Sequence, residues 1–419
     1  MIKKELLSNG LTVITEKIPG VRSISLGVWL NKGSRHEKEE ENGISHFIEH
    51  LLFKGTESKS AQQIALVIDS IGGQIDAFTS KEYTCFYAKV LDEHLPVALG
   101  LLSDIVLHPK FDRKDIEQER KVIYEEIKMV EDTPDELVYD VFIENFWKGH
   151  PLGKPVQGTI EKVSKITQRK LMEYFRKSYT PENIVIAAAG NLSHSKILSM
   201  VKEVFDPLSK SKVKIVLKPP QPHFSIVTKK KDELEQLHLC VGVDAFPKNF
   251  EERFQFLVLN TLLGGSMSSR LFQNIREKRG LVYSIFSAIN AFIDSGFMMV
   301  YAAANPKSAR EVLNLIIDEF VNLKDKLITS EELKVAKEHL KGSLMLSLES
   351  TSSRMSNLAR HEMYFGRQFS LNEMLKGVER VERDQVQAIA RRIFINSHFT
   401  LAAIGRLSNF RVTKRDLSF

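Results

Sequence analysis

The chain has 419 residues, of which 43% are hydrophobic and 27% charged, with a formal net charge of +6. That balance belongs to a globular protein with room for two or more domains, and it excludes a fibrous or disordered chain. No apolar run is long enough to cross a bilayer, residues 1–7 lack a signal-peptide core, and no Lys/Arg block carries interleaved aromatics. A cytoplasmic protein is therefore expected, with no membrane and no nucleic-acid partner. Cys85 and Cys240 each sit in an apolar, strand-like run and are expected to be buried free thiols of a reducing compartment.

In chain order, Ser23–Leu30 alternates as a strand. The charged run 37–41 reads as a solvated loop. It leads into His46-Phe47-Ile48-Glu49-His50, the most informative stretch of the sequence. Asn42 and Gly43 read as the start of a helix, and Lys54-Gly55-Thr56 as its end. Ile44, Phe47, Ile48, Leu51 and Leu52 give that helix an apolar face. Its two histidines are four residues apart, about one turn, so both can reach one ion. Glu49, three residues after His46, stays within reach of a water at that ion. The order H-x-x-E-H inverts the H-E-x-x-H zinc motif. Zinc takes a tetrahedral set of N, O or S ligands and keeps one position open in a catalytic site, so a third protein ligand must come from elsewhere.

Asp76, Ala77 and Phe78 are expected on an edge strand near the metal, where an extended peptide can add as a further strand. Residues 82–91 read as another strand, followed by helices from about Glu93, Asp112 and Pro134. The helix expected over 111–130 carries Ile116, Ile123, Ile127 and Val130 on its apolar stripe. At about 100° per residue, Glu126 lies about 70° from the centre of that stripe and Glu125 about 170° away. Glu126 thus borders the buried face and is assigned to the metal, with Glu125 the next candidate. Glu119 lies on the same edge and is assigned to supporting the ligands, because a carboxylate facing a core must be paired, protonated or bound.

Residues 186–193 and 401–408 read alike at an offset of 215, the difference of their first positions (401 − 186). Neighbouring elements match at nearly the same offset, which implies two copies of one fold. Each copy groups strands and helices, so an α+β half is expected, with helices on one face of a mainly antiparallel sheet. Residues 209–222, with Ser209, Ser211, Pro219 and Pro220, have linker composition and separate a domain over 1–208 from one over 223–419. In the second copy the positions matching His46, Glu49, His50 and Glu126 are close to Leu257, Asn260, Thr261 and Ser343. None completes a metal site. The run Leu263-Gly264-Gly265-Ser266 opens a flexible loop, and Lys229-Lys230-Lys231 reads as a hairpin tip.

The segments Gly33-Ser34-Arg35, Gly43 to His50, Phe53-Lys54-Gly55-Thr56 and Ala77-Phe78-Thr79-Ser80, with Glu119 and Glu126 in order behind them, resemble the pitrilysin family of zinc peptidases. The likeness runs over essentially the whole chain and is nearest the bacterial type similar to the catalytic subunit of the mitochondrial processing peptidase. It implies one Zn2+ per chain on His46, His50 and Glu126, with Glu49 as general base, acting on unfolded peptides or presequence-like segments. It also implies that Arg276 and Tyr283, seven apart, contact substrate from the side without zinc. Large relatives carry four such repeats in one chain, so a two-repeat chain is expected to form a homodimer enclosing a chamber. The family usually has Asn where this chain has Asp76. The alternative from another class is a non-catalytic assembly or chaperone-like subunit of the same fold, against which the intact metal set argues.

Overall fold

Alternation along one strand decides how the first half is layered. The computed structural model describes residues 1–209, 217–408 and 410–417; of the expected linker 209–222, residues 210–216 lie outside the described residues. Its first sheet is built from β1 (Ile2–Leu6), β2 (Thr12–Lys17), β3 (Ser23–Leu30), β4 (Gln74–Thr79), β5 (Thr84–Leu91) and β6 (Ile184–Gly190). The order is β1-β2-β6-β3-β5-β4, so β4 is an outer edge. In β3, Ile24, Leu26, Val28 and Leu30 enter the main core, beside Phe47 and Ile48 of helix Ile44–Leu52 and Ile116 and Ile123 of helix Arg113–Asp132. Ser25, Gly27 and Trp29 alternate to the opposite face. There Trp29 packs with Ile14, Cys85, Ala187, Ala189 and, from helix Thr351–Phe365, Met355, Leu358 and Ala359. A near-continuous apolar strand is what burial on both faces requires.

The second sheet contains β7 (Ile226–Lys230), β8 (Leu237–Ala245), β9 (Val282–Ala291), β10 (Gly296–Ala304) and β11 (Thr400–Gly405), in the order β7-β11-β8-β10-β9. With β1 set aside, the first sheet reads β2-β6-β3-β5-β4, the same order. In each sheet one pair is parallel, β2 with β6 and β7 with β11, and the rest are antiparallel. The chain is thus two tandem copies of one α+β fold. Because β11 lies between β7 and β8, the lysine triplet marks a strand end rather than a hairpin tip.

The compact units differ from the contiguous segments 1–208 and 223–419. One consists of Met1–Met129, Lys154–Lys218 and Ser347–Gln368; the other consists of Val130–Gly153, Pro219–Leu346 and Phe369–Phe419. Each copy therefore gives one helix to the other unit's sheet. Helix Pro134–Phe146 buries Val138, Phe142, Ile143 and Phe146 with Cys240, Phe297 and Ala402 of the second sheet. Helix Thr351–Phe365 does the same on the first. Two glycines, 27 and 242, make this packing possible. A Cβ on Gly27 would stand 2.7 Å from Met355 Sδ, and one on Gly242 would overlap the Phe142 ring. Hydrophobic periodicity identifies an apolar helix face but carries no information about which sheet covers it, so contiguous domains are the natural reading of the sequence. Both cysteines are buried and free, and no described helix is long and apolar enough to cross a membrane.

Candidate metal centre

Helix Ile44–Leu52 is held by its buried side, which fixes where its polar side points. Ile44, Phe47, Ile48, Leu51 and Leu52 are all nearly inaccessible, and His46, Glu49 and His50 share the remaining arc. Helix Arg113–Asp132 buries Ile116, Ile123 and Ile127, and Glu119 with them, which turns Glu126 toward the histidines. Arg120 joins the two helices: its guanidinium lies 5.2 Å from the centre of the Phe47 ring, donates to Ile166 O at 2.9 Å and to Val163 O, and pairs with Glu117.

Glu126 Oε2 is 3.6 Å from His46 Nε2 and 3.4 Å from His50 Nε2. Metal–ligand bonds of about 2.0–2.1 Å at tetrahedral angles put ligand atoms about 3.3 Å apart. The observed spacings are close to that value and long for hydrogen bonds. Among the described residues, His46, His50 and Glu126 are the one group of three whose ligand atoms converge, all within 4.8 Å of one another. His46 Nδ1 and Glu49 Oε2 are buried without a hydrogen-bond partner. The donor set, with two imidazoles and a carboxylate, fits zinc. Glu125, the other candidate ligand, points to solvent and pairs with Lys128 at 2.7 Å.

Behind the ligands, Glu119 Oε2 lies 3.2 Å from His50 Nδ1, and its Oε1 is 2.8 Å from Lys54 Nζ. A carboxylate on Nδ1 fixes the imidazole's orientation and directs Nε2 outward. Burial, then the His50 charge, lowers the His46 pKa against the opposing effect of Glu126. At His50, burial works against the charged form, but Glu126, Glu119 and Glu49 outweigh it and the pKa rises. The Glu126 carboxyl is lowered by the neighbouring His50, and further by His46, against its burial. Glu49 is raised, chiefly by burial, against a stabilising bond from Thr79. A base of raised pKa is better matched to neutral conditions than an exposed carboxylate.

Asp76, Ala77 and Phe78 lie on β4, the expected edge strand. Ile75 and Ala77 turn to the core, while Asp76 and Phe78 are exposed. Asp76 Oδ1 accepts from the Ala77 N–H at 2.8 Å, and Oδ2 accepts from Tyr87 Oη at 3.3 Å. Arg276 and Tyr283 belong to the other unit. Arg276 is in a turn of π-helix, Phe272–Glu277, with its guanidinium 4.7 Å from the Phe272 ring centre and 5.9 Å from that of Tyr283. The Tyr283 side chain is largely exposed.

In that unit the matching helix is Arg253–Leu263. Asn260, at the Glu49 position, accepts from Ser287 Oγ, and Thr261, at the His50 position, donates to Leu257 O. Thr261 and Ala336 border a cavity of about 240 Å³. At the offset of about 217 that relates helix Ser330–Ser347 to the Glu119 helix, Ala336 answers to Glu119 (336 − 119 = 217). The residues at the His50 and Glu119 positions thus border a cavity in the second copy.

One site residue escapes sequence reasoning. Glu37, read as part of a solvated run, is 5% exposed, although Glu39 and Glu40 beside it are exposed as expected. Its Oε1 accepts from Ser45 N–H at 2.8 Å and its Oε2 from Gly43 N–H at 2.8 Å and Asn42 Nδ2 at 3.2 Å. Neither Asn42 nor Gly43 caps the helix with a side chain; Gly43 is left-handed, with φ of 95°. Burial raises the Glu37 pKa to about 7 against these donors. The sequence carries no cue to this, because Asn42 reads as a cap residue, and the fold instead uses its Nδ2 as a donor to Glu37 and Pro155 O.

The sequence matches insulinase (peptidase family M16) over residues 12–160 and the peptidase M16 inactive domain over residues 165–340. It is 44% identical to an uncharacterized zinc protease of Bacillus subtilis (strain 168), covering 98% of this chain and 99% of that protein. It is 39% identical to an uncharacterized zinc protease of Mycobacterium leprae (strain TN), covering 98% and 93%. The fold matches a crystal structure of a peptidase M16 inactive domain from Pseudomonas fluorescens with a TM-score of 0.90 at 21% identity, over 97% of this chain and 98% of that one. A protease from Helicobacter pylori matches with a TM-score of 0.90 at 22% identity, over 96% and 99%. On these matches and on the paired sheets described above, the chain belongs to the insulinase-like peptidase family M16.

Proposed function

We propose that the protein is a zinc-dependent endopeptidase that hydrolyses peptide bonds in extended, unfolded chains. The observation that carries this reading is the convergence of His46, His50 and Glu126 at ligand spacing beside the buried oxygen of Glu49. His46, His50 and Glu126 hold the ion, and Glu119, backed by Lys54, holds His50 in the orientation that presents Nε2. Zn2+ bound there supplies Lewis acidity, polarising the scissile carbonyl and making water a better acid. Glu49 takes the proton from the attacking water and passes it to the departing amine. Its raised pKa makes it a stronger base for the first of these transfers.

β4 offers the substrate its register. It is the outermost strand, and a peptide can pair with its free edge. The Ala77 N–H is held by Asp76, so an incoming strand competes with that carboxylate. Once displaced, Asp76 favours a basic residue beside the cut.

The working unit is a homodimer. By twofold symmetry Arg276 and Tyr283 of one subunit face the metal centre of the other, where a guanidinium and a phenol can donate to substrate carbonyls and to a developing oxyanion. The protein acts in the cytoplasm, in keeping with its reduced thiols. The test is turnover of quenched extended peptides against a stable folded domain. Cutting of the peptides and sparing of the folded domain is expected; efficient cutting inside the folded core overturns strand addition. Mixing Glu49→Gln with Tyr283→Phe subunits should restore part of the activity each lacks alone, and a verified hybrid without recovery would place the whole site in one chain.

A further inference from the structure

A nine-residue helix carries His46, Glu49 and His50, and no side chain of its own N-cap anchors its start. Helices this short are marginal alone, because the first turn orders several residues for one hydrogen bond. Its leading N–H groups have no intrahelical acceptor. The acceptor comes from six residues before Gly43, where the Glu37 carboxylate takes both the Gly43 and Ser45 N–H groups at 2.8 Å, with Asn42 Nδ2 on one oxygen. Asn42 donates in turn to Pro155 O at 3.0 Å, and Ser45 Oγ bonds to Tyr174 Oη at 2.9 Å. Among the described residues no cation pairs with Glu37. Burying a carboxylate without a countercharge is costly, and these three donors at the helix start are what offset that cost.

Two N–H groups within the first turn, those of Gly43 and Ser45, converge on one rigid, planar acceptor. That fixes the residue at which the helix begins and its rotation about its axis. His46 follows Ser45 directly, and Glu49 and His50 follow one turn later. A slip of one residue at the start would rotate all three by about 100°.

We infer that Glu37 is a positioning residue for the metal centre: its buried carboxylate sets the start and rotation of helix Ile44–Leu52, and through it the placement of His46, Glu49 and His50. The inference rests on the reading of this site as a zinc centre.

The direct test is Glu37→Gln, which keeps the shape but leaves one N–H facing another donor. Zinc affinity is read by chelator competition well below the unfolding temperature of the metal-free variant. The expected loss is about 10- to 100-fold, the size seen when a ligand's supporting partner is removed. kcat should fall with KM little changed. Tyr174→Phe, which removes the neighbouring hydroxyl and leaves the carboxylate, should keep full zinc affinity. A merely structural Glu37 would lower the thermal midpoint of Glu37→Gln and leave the zinc affinity of the folded protein unchanged, and that result overturns the inference.

Amide exchange in the metal-free wild type supplies an arm that needs no variant and no zinc. Gly43 and Ser45 should exchange far more slowly than the exposed amides of Glu39 and Glu40. Exchange at the exposed rate would show that the clamp does not form. Wild-type protein that binds no zinc yet protects these two amides would refute the zinc reading and leave the clamp itself standing.

Discussion

The two copies share a strand order, a glycine under an exchanged helix and a helix pair, yet among the described residues one brings together three side chains that could hold a metal ion and the other brings none. At the matching helix the first copy has His46, Glu49 and His50, and the second Leu257, Asn260 and Thr261. The difference extends beyond the ligands. Glu119, Lys54 and Glu37 surround the first helix with buried or half-buried charge, whereas the second has Ser287, Ala336 and an open cavity. A fold supplies the helices; the chemistry requires a shell of polar groups, each costly to bury and each tied to the ligands.

Removing ligands should make the first copy like the second. His46→Ala and Glu126→Gln should each lose stoichiometric zinc and turnover, and metal analysis of the purified variants checks it. Full zinc in Glu126→Gln would move the third ligand to another residue.

A smaller effect follows from the buried carboxyl of Glu37. Its folded pKa of about 7 is above the ordinary value of 4.5, so the folded state holds the proton more tightly than the unfolded chain. The stabilisation is fully present below about 4.5 and is lost as pH rises through about 7, a change of about 3 kcal/mol. In metal-free protein, urea unfolding should show the stability of the wild type relative to Glu37→Gln falling by that order between pH 4.5 and 8. A difference independent of pH would mean that the carboxyl titrates as it does in the unfolded chain. Next in size, Glu119→Gln should weaken zinc binding about 10- to 100-fold without abolishing it, since it leaves all three ligands in place. The smallest expected effect is at the edge strand: Asp76→Asn should shift cleavage away from basic residues beside the cut, read as a changed profile on a peptide library, and an unchanged profile would leave Asp76 a strand residue only.

Much of this centre was legible because it obeys helical arithmetic. A spacing of four brings His46 and His50 together, and phase along Arg113–Asp132 separates Glu126 from Glu125, which lies in solvent beside Lys128. Glu119 was legible on the same grounds. What periodicity cannot express was missed. The charged run 37–41 has the composition of a solvated loop, and only the fold reveals that its first residue turns inward to the Gly43 and Ser45 N–H groups. The exchange of helices Pro134–Phe146 and Thr351–Phe365 was hidden for a similar reason: each shows an apolar face, and the sheet that covers it is distant in sequence.

The central claim is that the convergent triad holds zinc while Glu49 moves the proton, and it is tested most directly by comparing zinc content and peptide turnover in the wild type and Glu49→Gln. The account predicts one zinc per chain in both, with turnover on an extended peptide lowered by about 10²- to 10⁴-fold in the variant. Retained turnover in a zinc-loaded Glu49→Gln protein would contradict it.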